Sequence, residues 1–146
     1  MITINKNDPI PTNAVKVEET DSGYNVTLST DPEGQAFILK GLKFQANMLI
    51  RQRYQQAVKA GFQSGGFSYS SDPEDLQDLN NAVMSGVNQE FKTLDGALRQ
   101  YTPPQIKQVL IDATSWKLNL VKKRDAQHDA ISAAASEAEI NAIVNG

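Results

Sequence analysis

The chain has 146 residues, with 14 Lys and Arg against 17 Asp and Glu, one His and no Cys. That length suits one domain plus an appendage, and a net charge of −3 argues against a nucleic-acid binder that works by neutralising phosphates. The missing Cys excludes a disulfide framework, a thiolate zinc site and a Cys nucleophile, and a single His excludes any site built on two imidazoles.

No stretch approaches the roughly 20 apolar residues of a membrane span. The opening Met1-Ile2-Thr3-Ile4-Asn5-Lys6 lacks the basic-then-apolar layout of a secretory signal, and Asp8-Pro9-Ile10-Pro11 is biased to extended backbone. Val15–Glu19 and Tyr24–Leu28 alternate apolar and polar residues around Asp21-Ser22-Gly23. That pattern predicts a β-hairpin, with Gly23 supplying a positive φ. Asp31-Pro32-Glu33-Gly34 matches a type I turn and leads into a third expected strand, Ala36–Leu39.

From Leu42 the apolar period becomes helical. Leu42, Ala46, Leu49, Ile50, Tyr54, Ala57 and Val58 share one face, and Gly61 is the expected left-handed stop. Charge changes at the same place: residues 1–40 carry three basic and six acidic groups, whereas the rest is balanced. The boundary therefore falls between a β-rich attachment segment, 1–41, and a mostly helical domain, 42–146.

Ser64–Tyr69 is too rich in glycine for a helix and reads as one short strand. Asp72-Pro73-Glu74-Asp75 marks a helix start, with Leu76, Leu79, Val83 and Val87 as its inner stripe. Glu90–Leu94 and Ala97–Tyr101 flank Asp95-Gly96 as a second hairpin. Thr102-Pro103-Pro104-Gln105 and Ser136–Glu139 each carry a capping box that opens a helix. The fold class is α+β: an N-terminal β-hairpin segment, then a mostly helical domain with an inserted β-hairpin and a long C-terminal helix.

Chemistry is thin. Asp72, Glu74, Asp75 and Asp78 lack the spacing of a calcium loop and suit a helix start. Gly61, Gly65 and Gly66 are not followed by a phosphate-binding Lys-Ser or Lys-Thr, so they turn the backbone. His128 has no serine elbow to serve and reads, with Lys122, Lys123 and Arg124, as a solvated helix face. No catalytic residue, cofactor or metal site is expected.

The helix after Pro104 carries the most information. Ile106, Val109, Ala113, Trp116 and Leu120 step by 3, 4, 3 and 4, the seam spacing of packed helices. Leu110, Ile111, Leu118 and Val121 lie off that seam. A small domain has limited material to cover such a helix on all sides. A central core helix and a subunit interface both fit. The interface reading takes Ile106, Val109, Leu110, Trp116, Leu118, Leu120 and Val121 as contact residues, with Trp116 as anchor.

A series of features runs through the second region. It comprises the Arg51–Gly61 helix closing into Phe62, Gly65-Gly66-Phe67, Ser71-Asp72-Pro73, and a Phe91–Tyr101 hairpin around Asp95-Gly96. Thr102 and Gln105 then start a long helix, followed by Ile131–Ala134, Ser136 and Glu139-Ile140. The series resembles a small domain of unknown biochemical function that recurs in tailed-phage and prophage tail-fibre-associated proteins, often at their C-terminal end. The resemblance carries no catalytic residues. It implies a non-enzymatic structural protein of a bacteriophage tail: a baseplate, fibre-attachment or tail-fibre subunit. Such a protein resides in the virion tail, and in host cytoplasm during assembly. Its implied partners are other tail or baseplate proteins, with the chain a homo-oligomer or a subunit of a larger assembly. The alternative is a tail-fibre assembly chaperone absent from the mature virion.

Overall fold

The computed structural model describes residues 1–146. In chain order its elements are β1 (Ile2–Asn5), β2 (Ala14–Glu19), β3 (Gly23–Leu28), α1 (Pro32–Ala60), β4 (Phe62–Ser64), β5 (Phe67–Tyr69), α2 (Pro73–Ser85), β6 (Gln89–Lys92), β7 (Leu98–Tyr101), α3 (Pro103–Ala133) and α4 (Glu137–Asn145). The α+β class read from the sequence holds. Packing divides the chain into two units, Met1–Leu49 with His128–Gly146, and Ile50–Gln127.

In the first unit the expected β2–β3 hairpin forms, and a further strand joins it. β1 pairs antiparallel with β3 from Ile2↔Val26 to Asn5↔Gly23, giving the order β1-β3-β2. Gly23 is needed for this approach and not for a positive φ: a Cβ there would fall 2.0 Å from the Ile4 carbonyl oxygen.

The expected third strand at Ala36–Leu39 is instead the first part of α1. Asp31-Pro32-Glu33 works as a helix start, as Asp72-Pro73-Glu74 does. The Asp31 carboxylate accepts from the Leu28 N–H at 3.1 Å, and the Asp31 carbonyl accepts the first helical bond, from Gln35 N at 2.9 Å. Gly34 lets that first turn lie against the end of β3, since a Cβ would sit 1.8 Å from the Leu28 carbonyl oxygen. The helix therefore begins ten residues before the expected Leu42.

The inner residues of this unit are small or aliphatic: Val26, Ala46, Ile131, Ala134 and Ile140 are buried. Lys43 Nζ donates to the Ser132 carbonyl at 2.7 Å. His128, expected to be solvated, is half-buried, with Nδ1 2.6 Å from Asn47 Oδ1. Ser136 caps α4 by accepting from the Glu139 N–H at 3.3 Å. The Glu139 carboxylate reaches back to the Ala135 N–H at 2.6 Å.

In the second unit, Gly61 takes the left-handed conformation (φ 78°) that ends α1. Ser64–Tyr69 is not one strand but the β4–β5 hairpin. Gly65 and Gly66 both have positive φ, 56° and 84°, the requirement of a two-residue type I′ turn. At Gly86 (φ 66°) α2 stops, so Val87 lies past the helix and is exposed instead of completing the inner stripe. The β6–β7 hairpin around Asp95-Gly96 forms as expected, pairing Gln89↔Tyr101 through Lys92↔Leu98. At the start of α3, Thr102 N and Oγ1 both donate to Gln105 Oε1, at 2.8 and 3.0 Å.

Candidate interaction surfaces

Of the seven α3 residues read as contacts, four are placed within the second unit's own core. Ile106 and Val109 are buried, together with Phe62, Tyr69, Leu79, Ala82, Tyr101 and Ala113. Leu110 and Trp116 pack against that cluster, half-buried. The Trp116 ring lies 5.8 Å from that of Phe62, which stacks on Tyr69 at 5.4 Å and 18°. Large aromatic side chains bring most of the apolar area to such a core, so the seam Ile106–Val109–Ala113–Trp116 is occupied within its own chain. Leu120 and Val121 are half-buried. Leu118 is 51% exposed, and the neighbouring Ile111 is exposed as well.

Polar groups near this core brace the two hairpins. The Tyr69 and Tyr101 hydroxyls lie 2.7 Å apart, and burial first, then this bond, pushes the Tyr69 phenol upward in pKa. Arg99 stacks its guanidinium 4.0 Å over the Phe67 ring, and the Leu94 N–H donates to the Ser68 carbonyl at 2.9 Å. The Asp95 carboxylate accepts from Thr93 Oγ1, the Ala97 N–H and Arg99, at 2.5, 3.0 and 2.8 Å. These bonds, the Thr93 one foremost, lower its pKa from 3.8 to about 2. Ser64 Oγ donates to Asp112 Oδ2 at 2.5 Å, tying β4 to α3.

The open groove between α2 and the β6–β7 hairpin is lined by Asp75, Asp78, Glu90 and Lys92 beside Phe91 and Leu98. Its carboxylates stand apart; no group of three His, Asp or Glu side chains is placed to share a metal ion. Lys122 and Lys123 are exposed as expected, whereas Arg124 is half-buried 4.7 Å over the Tyr54 ring. No helix is long and apolar enough to cross a membrane.

A different surface emerges on α1 in the first unit. Phe37, Gly41, Phe44 and Met48 step by 4, 3 and 4 along the helix side opposite buried Ala46, and all four are exposed. Phe37 is 50% and Phe44 68% exposed, with Ile38 and Leu49 also partly in water. The strand expected at Ala36–Leu39 hides this stripe in the sequence. The signal was present: a second apolar row at seam spacing, outside the Leu42–Ala46–Ile50 face.

One family model matches the chain, described as Domain of unknown function (DUF4376), over residues 42–144. No curated protein and no solved structure gives a significant match. The matched span is most of the chain, which therefore belongs to the DUF4376 family.

Proposed function

We propose that this member of the DUF4376 family is a non-enzymatic structural protein of a bacteriophage tail, a baseplate, fibre-attachment or tail-fibre subunit that acts through protein–protein contacts. The observation that carries the contact role is the placement of Phe37, Phe44 and Met48 in water. Burying large apolar side chains is the main driving force for both folding and association, so an uncovered row of them is a surface awaiting a cover. The tail assignment rests on the resemblance of the ordered features from the Arg51–Gly61 helix to Glu139-Ile140 to domains of tail-fibre-associated proteins. The net charge of −3 favours protein partners over nucleic acid. In this reading the protein resides in the virion tail after assembly in the host cytoplasm, as a homo-oligomer or a subunit of a larger assembly.

Mass spectrometry of purified particles tests the proposal. Peptides of this chain at stoichiometric level with tail proteins are the expected result. Absence from particles, with abundance in the infected-cell lysate, would instead identify an assembly chaperone. Absence from both would overturn the phage assignment.

A further inference from the structure

We infer that the outer face of α1 is a self-association surface, on which a second copy of this chain lies antiparallel, with Phe44 of each copy seated over Gly41 of the other. The inference stands apart from the tail assignment, since it draws only on the shape and area of this face.

Shape sets the pairing. Phe37, Gly41, Phe44 and Met48 alternate large, absent, large and intermediate side chains at seam spacing. A parallel partner would oppose Gly41 to Gly41 and Phe44 to Phe44, leaving a void beside a crowded layer. An antiparallel partner places Phe44 opposite Gly41 and Phe37 opposite Met48, twice over by the two-fold axis. Each ring then meets a notch or a flexible thioether, a favourable neighbour for an aromatic. Gly41 is open: a Cβ built there has nothing within 4 Å. The folded monomer thus gives no reason for a helix-weakening residue mid-helix, whereas a partner's ring does.

Area sets the strength. Aromatic side chains present roughly 150–250 Å² each, so the half-exposed Phe37 and the more exposed Phe44 leave on the order of 200 Å² of apolar surface in water. Met48, also exposed on this row, adds roughly a third as much again. Two copies with a polar rim come to about 1,000 Å², in the weak, transient class below the roughly 1,200 Å² at which standard specific interfaces begin. That size fits a weak dimer, formed at micromolar concentrations, and falls short of an obligate one. The four seam residues lie on one element of one unit, so the surface needs no rearrangement of the chain.

Sedimentation equilibrium of the full-length chain from about 1 to 300 µM tests this over the range a weak interface covers. The wild type should pass from monomer to dimer. Phe44→Glu should raise the dissociation constant at least about tenfold, the loss typical of a central contact residue, with circular dichroism unchanged because the ring is exposed. Gly41→Leu is the second variant: it should keep or raise the melting temperature, because the site is open, yet weaken the dimer by filling the notch. A wild type monomeric throughout that range would overturn the inference, as would a dimer indifferent to Phe44→Glu. A dimer tightened by Gly41→Leu would also overturn it, because that outcome requires the parallel pairing.

Discussion

The two units place their largest aromatic side chains differently. The second closes over an aromatic cluster, in which Phe62, Tyr69 and Tyr101 are buried and Phe91 and Trp116 pack against them. The first buries Val26, Ala46, Ile131, Ala134 and Ile140, and leaves Phe37 and Phe44 outside. Since burial free energy grows with apolar area, the aromatic cluster carries the closure of the second unit, whereas the first leaves both of its phenylalanines out of its own interior. Exposure of single apolar residues is common on protein surfaces. A row of them at seam spacing is the informative case.

The sharpest way to break this contrast is to truncate one phenylalanine in each unit. Phe62→Ala removes a fully buried ring and should cost about 3–5 kcal/mol. Phe44→Ala, measured at low concentration where the chain is monomeric, should stay within about 0.5 kcal/mol. Urea titration of both variants checks the pair. Equal losses would mean that Phe44 packs against its own chain.

Glycines sharpen the comparison inside the first unit. Gly34→Ala drives a methyl into the Leu28 carbonyl and should destabilise by about 1–3 kcal/mol, the range for overpacking. Gly41→Ala meets nothing and should stabilise the monomer by about 0.5–1 kcal/mol through helix preference. Opposite signs in thermal melts are the expected outcome.

In the second unit, Tyr101→Phe leaves the Tyr69 hydroxyl without its 2.7 Å partner. A buried polar group that loses its hydrogen bond costs about 1–2 kcal/mol, to be read by the same urea titration. The same change at Tyr24, half-buried on the sheet of the first unit, should be close to neutral.

The smallest effect is one of pH. The carboxyl of Asp95 titrates at about 2 in the folded chain against an ordinary 3.8. Its lowered pKa means that the folded state binds the proton less readily than the unfolded one. The stabilisation is therefore complete above pH 4 and is lost as pH falls towards 2. The Ala97 amide, which donates to Asp95, should shift in NMR spectra across that window, and Asp95→Asn should abolish the shift.

Sequence pattern disclosed what is local and hid what is not. The β6–β7 hairpin was legible because Asp95-Gly96 sits between two alternating runs, and the Ser136–Glu139 cap because its partners lie within one turn. Ile2-Thr3-Ile4-Asn5 alternates like a strand as well, but its partner β3 lies about 20 residues away and local pattern does not name the pairing. The Asp-Pro-Glu motif was read as a helix start at Asp72 and as a turn at Asp31. Gly34 at the fourth position favours the turn, and the close approach to Leu28 that requires Gly34 exists only in three dimensions.

The candidate surface divides in the same manner. The seam spacing of Ile106, Val109 and Trp116 was visible, yet periodicity cannot say whether a seam faces its own core or a partner. In the structure those residues face the core, and Leu118 alone of the seven is exposed. The α1 row at Phe37, Gly41, Phe44 and Met48 carried the same spacing, but the strand assigned to Ala36–Leu39 masked it.

Amide hydrogen exchange of the full chain at two concentrations, about 5 and 300 µM, tests the contrast most directly over the range of a weak interface. A closed second unit predicts that amides of Phe62, Tyr69, Ile106 and Val109 exchange slowly and at the same rate in both samples. An uncovered α1 face predicts that amides from Phe37 to Met48 gain protection at the higher concentration. Slow, concentration-independent exchange along Phe37–Met48, equal to that around Phe62, would contradict the account, because it would place both units on the same footing.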